Sequence, residues 1–139
     1  MTKYNTNLAS EFWVLSMLHR LGADASLTLG NKKSVDILVT NDAGRVKTVD
    51  VKGVAKRWDW PADNIRLPGL KNHFYAFLSF EGGIDDPAVP PSVWIVPASH
   101  LKPLIRKYST RSVVSRKSVN ETGNRYADSW WRLVGKNRG

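Results

Sequence analysis

Two acids interrupt a pair of strand-like segments in the first half of the chain. Asp36 lies in "SVDILV", and Asp50 lies in "TVDVKG", where Lys52 follows two residues later. Acids form strands poorly and are rarely buried, so their position within two strands needs a reason. A small cluster of hard oxygen ligands without Cys or His favours Mg²⁺ or Mn²⁺ over zinc. Whether these acids can form such a cluster depends on how the two segments pair.

The turn between the two segments decides which side chains face each other. A three-residue loop over residues 42–44 would be a type I turn followed by a glycine in the left-handed conformation, and Gly44 occupies that position. This register places Asp36 directly opposite Asp50. A loop one residue shorter or longer would place the acids on opposite faces. The position of Gly44 favours the three-residue loop.

In this register the hairpin has one apolar face and one face that could carry a site. The first face holds Val35, Ile37, Val39, Lys47, Val49 and Val51. The other face carries Asp36, Asp50 and Lys52 at one end. Carboxylates directly opposite each other have Cβ atoms about 5 Å apart and repel unless positive charge lies between them. Lys52 supplies one such charge, and a divalent cation would supply more.

A helix predicted over residues 7–22 contributes a further acid. Asn7 could cap this helix, and Gly22 could end it. Its apolar residues have the spacing of an amphipathic helix; they are Leu8, Phe12, Leu15, Leu18 and Leu21. Glu11 lies on or at the edge of this stripe. It is either a boundary residue in solvent or an acid directed at the carboxylate site, and the helix pattern leaves both interpretations open.

The remaining segments predict a single α/β or α+β domain around one mixed sheet. Further strands are predicted at 25–30, 73–80 and 92–97, with a surface loop over 81–91 and a helix over 99–108 that Ser99 caps. The core is expected over about residues 7–108, followed by a basic C-terminal extension over 109–139. Residues 109–125 are expected to form a mobile loop or short strands, and 126–134 to dock on the core.

Composition excludes several classes of protein. The 139 residues contain no apolar run of membrane-spanning length and no signal-peptide pattern, so we expect a cytoplasmic protein without a membrane partner. The absence of Cys removes thiol catalysis and cysteine zinc sites. His19, His73 and His100 have no metal-ligand spacing, and we expect them at the surface or the core edge.

The net charge favours a polyanionic partner. A formal charge of +9 promotes attraction to nucleic acid, the commonest cytosolic polyanion. Basic residues are concentrated in "HLKPLIRKYSTRSVVSRKS" and "WWRLVGKNRG". The alternative is that these residues form only a solubilising surface.

Together, these segments resemble the PD-(D/E)xK nuclease superfamily, which has a restriction-endonuclease-like fold and includes small Holliday-junction-resolvase-like members. The similar segments are "ASEFWVLSMLHRLGA", "SVDILV" and "TVDVKG", and "SVWIVPASHL" is similar to a strand and helix that follow the catalytic core. The likeness extends over residues 7–105. Ser34 and Val35 stand where the signature proline would precede the acid, and "AKRWDWPADNIRLPGLKN" replaces a clear helix.

The resemblance implies a central mixed sheet flanked by helices and an Mg²⁺-dependent endonuclease. Its substrate would be nucleic acid, with DNA favoured, including branched DNA. Asp36 and Asp50 would bind the metal, with the Val51 backbone carbonyl as a further ligand. Lys52 would orient the attacking water or stabilise charge on the phosphate. Glu11 would hold a second metal or its water shell.

Basic and aromatic residues after Lys52 predict a nucleic-acid surface. Lys56 and Arg57 could contact phosphate, while Trp58 and Trp60 could either stack on an unpaired base or cover the sheet as core residues. The other predicted nucleic-acid contacts are Lys32, Lys33, Arg106, Lys107 and Arg111.

Two other functions fit the same sequence. One is a nucleic-acid-binding module of the same fold that cuts nothing, and the other is an adaptor that binds a protein through its tryptophan-rich surface. An intact set of two aspartates and a lysine favours the enzyme, because a binder gains nothing from carboxylates that repel its ligand. An enzyme with a single active site would need a homodimer or a partner to cut two strands together.

Overall fold

A five-stranded mixed sheet forms the centre of the fold. A computed structural model describes residues 5–28, 36–41, 43–67 and 69–135. The strands are β1 Asp24–Leu27, β2 Ile37–Thr40, β3 Val46–Val54, β4 Trp60–Pro61, β5 His73–Ser79, β6 Ser92–Pro97, β7 Ile105–Lys107 and β8 Ser112–Val114. The central sheet has the order β1-β2-β3-β5-β6, in which β3 and β5 are parallel and the other neighbours are antiparallel. The predicted mixed sheet is therefore confirmed.

Two helices cover one face of the central sheet, and a smaller sheet together with a third helix covers the other. The helices are α1 Thr6–Arg20, α2 Arg116–Glu121 and α3 Trp131–Val134. The small antiparallel sheet has the order β4-β8-β7. Among the described residues, no helix combines the length and apolar character needed to cross a membrane. The domain belongs to the α+β class, with its central sheet between two layers.

Each face of the central sheet has its own apolar core. The helix-side core joins α1 and α3 to alternate sheet residues; its buried members include Val14, Leu18, Ile37, Val39, Val49, Val51, Ala76, Leu78, Ile95 and Leu133. The small-sheet core lies on the opposite face; it includes Val54, Trp60, Tyr75, Phe77, Trp94, Val96, Leu101, Val114, Val119 and Tyr126. Residues 112–134 contribute buried side chains to both cores.

The β2–β3 hairpin has the register that the sequence predicts. Ile37 faces Val49, and Thr40 faces Val46. Gly44 has a φ of 78°, the left-handed conformation that the predicted loop requires. The predicted apolar face is buried at its four described valine and isoleucine positions, whereas Val35 lies outside the described residues.

Lys47 shares this apolar face and is held by the C-terminal helix. Its Nζ donates a hydrogen bond to the backbone carbonyl of Arg132, at 2.8 Å. Burial lowers the pKa of Lys47.

Helix α1 is rotated relative to the predicted apolar stripe. Its buried residues are Ser10, Val14 and Leu18, whereas Leu8 is 43% exposed and Phe12 is 52% exposed. The predicted burial of Leu8 and Phe12 is therefore wrong. The cause is a close approach of α1 to β3, because a Cβ on Gly53 would overlap the Ser10 side chain.

The ends of α1 differ in part from the prediction. Asn5, two residues before the predicted cap, accepts a hydrogen bond from the Leu8 backbone N–H at 3.1 Å. Gly22 has a φ of 82° just beyond the helix end, as the sequence predicts.

The predicted helix over 99–108 is wrong. Two short 3₁₀ turns, Ala98–His100 and Lys102–Leu104, precede β7. Pro103 has no backbone N–H to continue a helix, and Ile105 is extended and pairs with Val114. The predicted strands near 73–80 and 92–97 are confirmed, and the segment over 109–125 contains β8 and α2.

Candidate functional site

A cleft opens where the start of α1 crosses the central sheet. Its volume is about 1020 Å³. The main cleft, as we call it, is lined by Asn5, Thr6, Asn7, Glu11, Asp36, Asp50, Val51, Lys52, Gly53, Val54, Pro61, Asp63 and Asn64. All four predicted catalytic residues therefore line one cavity, although they come from α1, the start of β2 and the middle of β3.

Asp36 lies at an irregularity where the β2–β3 ladder ends. Its N–H donates to the Val49 carbonyl at 3.0 Å, although Val49 faces Ile37 in the hairpin register. The hydrogen bond of Asp36 is therefore offset by one residue from the hairpin register, as in a β-bulge. Such a bulge redirects a side chain. The carbonyl of Asp36 accepts from the Thr28 N–H at 3.0 Å, which fixes the other side of its backbone. The predicted face-to-face pairing with Asp50 is thus replaced by a redirected side chain.

The Asp36 carboxylate reaches across to the backbone of β3. Its Oδ2 accepts a hydrogen bond from the Val51 N–H at 2.7 Å. Burial raises the pKa of Asp36, the Val51 N–H opposes this rise, and the Asp50 charge adds to it. The N–H and C=O of one strand residue point to the same side. The Val51 carbonyl therefore faces the edge at which Asp36 lies.

Asp50 is held from the neighbouring strand by a buried histidine. The Nε2 atom of His73 lies 3.3 Å from Asp50 Oδ2, and the ring is 5% exposed. Because a carboxylate only accepts hydrogen bonds, Nε2 is the donor. The other ring nitrogen, Nδ1, is 2.6 Å from the Thr48 hydroxyl. Thr48, His73 and Asp50 thus form a chain that sets the orientation of one carboxylate.

Lys52 extends from the same face of β3 as Asp50. Its Nζ donates to Asn64 Oδ1 at 3.0 Å. Burial lowers the pKa of Lys52, whereas the charges of Asp50 and Asp36 act in the opposite direction. The ammonium group is therefore held in the cleft by a neutral amide and lies within the field of two carboxylates.

Glu11 faces the cleft from the first turns of α1. Burial raises the pKa of Glu11, and the charge of Asp36 raises it further. The helix pattern leaves two interpretations of Glu11 open. In the structure, Glu11 is a partly buried acid beside Asp36. The close packing of Ser10 on Gly53 sets the distance between α1 and β3 and brings Glu11 to this position.

The oxygen atoms of the main cleft suit a hard divalent cation. Among the described residues, no group of three or more His, Asp or Glu side chains is placed to hold a metal ion. Mg²⁺ typically takes one or two carboxylates and completes its coordination with water and substrate phosphate. Asp36, Asp50 and the Val51 carbonyl could form a donor set of that kind. Burial raises the pKa of Asp36 and the Asp50 charge adds to that rise, so a bound cation would favour the ionised carboxylate.

The two tryptophans that follow Lys52 have opposite environments. Trp58 is 57% exposed, and Lys56 Nζ lies 5.7 Å from the centroid of its ring. Trp60 is fully buried against Phe77, and its Nε1 donates to the Leu78 carbonyl at 2.9 Å. The predicted base-stacking role of Trp60 is therefore wrong, and its core alternative is correct.

The predicted nucleic-acid contacts on arginine and lysine lie at several places. Arg57 is exposed, and its Nε donates to Glu81 at 2.6 Å, while Arg116 donates to the same carboxylate at 2.9 Å. Burial acts to raise the pKa of Glu81, but the hydrogen bonds from these two arginines outweigh it, so the pKa is lowered. The other described contacts, Arg106, Lys107 and Arg111, are exposed near or on the small sheet. Lys32 and Lys33 lie outside the described residues.

Sequence reasoning missed His73 and Asn64. His73 was expected at the surface or core edge, yet it is buried next to Asp50. Its position at the start of β5 becomes informative only when β5 is known to pair in parallel with β3, because Thr48 then faces His73. Asn64 lies twelve residues beyond Lys52 in an irregular segment, and no periodic pattern predicts their contact.

Comparisons with known proteins do not assign this chain to a family. No protein-family model matches the sequence, and no curated protein matches it. Among solved structures, the fold is similar to a bacterial homing endonuclease, with 17% sequence identity and a TM-score of 0.46. The similar region covers 70% of this chain and 67% of that chain. A likeness at this level transfers no activity, so function must be inferred from the cleft.

Proposed function

We propose that the protein is an Mg²⁺- or Mn²⁺-dependent endonuclease that hydrolyses phosphodiester bonds in DNA. The observation that carries this proposal is the convergence of Asp36, Asp50 and Lys52 on one cleft, where the start of α1 crosses the central sheet. Two acids and a lysine provide the parts needed to bind a cation and a phosphate side by side. The resemblance of these segments to PD-(D/E)xK nucleases supports the same reaction.

The carboxylates would hold the metal. Asp36, Asp50 and the Val51 carbonyl would bind one ion, and Glu11 would hold a second ion or its water shell. When bound, such an ion supplies positive charge that polarises a phosphate and lowers the pKa of water. His73 would keep Asp50 in the orientation that ligation requires, since its Nε2 already donates to one carboxylate oxygen.

Lys52 would act on the phosphate itself. Its ammonium group can donate to a non-bridging oxygen and stabilise the negative charge that increases in the transition state. Asn64 holds the ammonium at 3.0 Å before substrate enters, which limits the freedom that the side chain must lose on binding. Partial burial strengthens this interaction, because fewer water molecules screen the charge.

Charge and exposure support a nucleic-acid substrate. The chain carries a net charge of +9, although the main cleft itself is rich in acids. A nucleic-acid substrate fits the net positive charge because of its phosphates. A bound cation would offset the acids of the main cleft. Lys56 and Arg111 are exposed close to this end of the sheet and could neutralise neighbouring phosphates.

The proposal can be tested with a panel of labelled nucleic acids. Single strands, duplexes and branched forms of DNA and RNA would be incubated with Mg²⁺, with Mn²⁺ or with EDTA. We expect cleavage of DNA that EDTA abolishes and that both Asp50→Asn and Lys52→Ala reduce by at least about a hundredfold. Asp24→Asn, an exposed acid on β1, is the matched control and should cleave like the wild type.

Binding must be measured on the same variants. Affinity for DNA in EDTA should fall steeply with salt for every variant, because the phosphate contacts release counterions. Cleavage by Asp50→Asn at the wild-type rate would contradict the proposal. Salt-sensitive binding without cleavage by the wild type would replace the enzyme with a nucleic-acid-binding module, and weak dependence on salt would favour a protein adaptor.

A further inference from the structure

A second cavity adjoins the main cleft, and we infer that it binds an unpaired nucleobase of the substrate. This side cleft has a volume of about 590 Å³. Its lining includes Val54, Trp58, Asp59, Pro61, Asp63 and Arg111. Val54, Pro61 and Asp63 also line the main cleft, so the two cavities share a wall. The inference rests on the proposed function, because it concerns the DNA that the main cleft would cut.

Trp58 provides the aromatic surface that a base needs. More than half of its side chain is exposed at the side cleft, whereas Trp60 two residues later is fully buried. Stacking of a base on an aromatic ring is favourable for all four bases, since each has a π-face. Lys56 Nζ lies over the Trp58 ring, 5.7 Å from its centroid, so a base would stack on the opposite face of the ring.

Two carboxylates in the side cleft favour a base over a phosphate. Asp59 accepts the Arg116 backbone N–H at 2.8 Å, and Asp63 accepts the Ser112 backbone N–H at 2.7 Å. These bonds fix both side chains and leave further lone pairs as acceptors. The amino and ring N–H groups of a base can donate to such acceptors, whereas a phosphate can only be repelled. Arg111 at the same cavity can take the phosphate instead.

The two cavities adjoin each other, so one DNA strand would reach both. Val54 follows Asp50 by four residues on β3, which corresponds to about 13 Å at the usual rise of a strand. A base in the side cleft would therefore lie within a few nucleotides of the scissile phosphate. Bases inside a duplex have both faces covered, so only an unpaired or extruded base can stack on Trp58. The structure thus points to DNA that carries an unpaired base beside the cleavage site.

The test uses a fluorescent base analogue in EDTA, with Asp50→Asn as the parent protein so that nothing is cleaved. One duplex carries 2-aminopurine as a single bulged base, and a second carries it fully paired. We expect the parent to quench the bulged analogue and to bind that duplex more tightly. Adding Trp58→Ala should abolish the quenching and weaken binding of the bulged duplex by roughly 5- to 150-fold. Trp58→Phe should retain most of both effects.

Controls separate this inference from the proposed function. Trp131→Ala removes another exposed tryptophan, on α3, and should leave quenching and affinity unchanged. If Trp58→Ala weakens the bulged and paired duplexes equally, or if the bulged analogue is not quenched, the inference is wrong. Metal-dependent cleavage by the wild type would then still support the proposed function. Quenching that depends on Trp58, in a protein that never cleaves, would instead support the base site and overturn the enzyme.

Discussion

Substitution of Gly53 by alanine perturbs the contact that positions Glu11 at the main cleft. A Cβ on Gly53 would overlap Ser10 Oγ and lie 2.8 Å from Ser10 Cβ. A change of the Ser10 rotamer would move Oγ but not Cβ, so α1 must shift away from β3. Overpacking of this kind costs about 1–3 kcal/mol, of which the lower entropy of the unfolded alanine chain offsets about 0.4–1 kcal/mol. We expect Gly53→Ala to lower the free energy of unfolding by about 1–2 kcal/mol.

The double variant Ser10→Gly/Gly53→Ala isolates this contact. The next atom near the new Cβ is the Thr6 carbonyl oxygen at 3.5 Å, an ordinary van der Waals distance, so removing the Ser10 side chain makes room. Ser10→Gly alone should cost about 0.5 kcal/mol in helix propensity, and more because a buried side chain is lost. Urea unfolding of the wild type and three variants gives the coupling energy, which we expect to favour the double variant by about 1 kcal/mol.

Cleavage assays on the same four proteins connect this packing to the site. Gly53→Ala should lose more activity than its stability loss explains, because a displaced α1 moves Glu11, and the double variant should recover part of that activity. Equal unfolding midpoints for Gly53→Ala and the wild type, or a coupling energy of zero, would refute the close approach of α1 to β3.

Three further predictions concern other parts of the molecule. His73→Gln should lower metal-dependent cleavage by about 10- to 100-fold, because it releases Asp50. His100→Gln is the control, because His100 is hydrogen-bonded outside the cleft, and it should not lower cleavage. Equal single-turnover rates for the two variants would contradict this role of His73. Trp60→Ala should cost about 3–5 kcal/mol in urea unfolding, and a loss below about 1 kcal/mol would be incompatible with its burial. Glu81→Gln should cost about 1 kcal/mol at neutral pH. Because the folded pKa of Glu81 lies below its ordinary value, that difference should disappear as the pH falls through the folded pKa, and a difference that is constant with pH would exclude the ion pairs as its source.

The hairpin could be predicted from sequence because its determinants are local. Gly44 fixes the loop, the loop fixes the register, and the alternation of side chains then assigns each residue to a face. Asp50 and Lys52 share a face for this reason alone. The fold class can be predicted from the same kind of pattern, because the spacing of apolar residues distinguishes strands from helices.

Features that depend on distant parts of the chain could not be predicted. The rotation of α1 is set by Gly53, more than forty residues after Ser10. The spacing of apolar residues within the helix does not indicate this rotation. Trp58 and Trp60 have similar sequence surroundings, yet only Trp60 is covered by β8 and by Trp94. His73 acquires a role only through parallel pairing of β5 with β3.

The site depends on the point at which β2 stops pairing with β3. The regular ladder ends with Ile37 opposite Val49, and the backbone of Val51 faces the edge beyond it. Two more residues of regular pairing would engage the Val51 N–H and C=O in the sheet and make that carbonyl unavailable to the proposed cation. The irregularity at Asp36 prevents this, because the Asp36 carboxylate takes the Val51 N–H in place of a neighbouring strand. An acid at this position therefore ends the ladder and, under the proposed function, would also supply a metal ligand, which accounts for an acid in a segment that is otherwise typical of a strand.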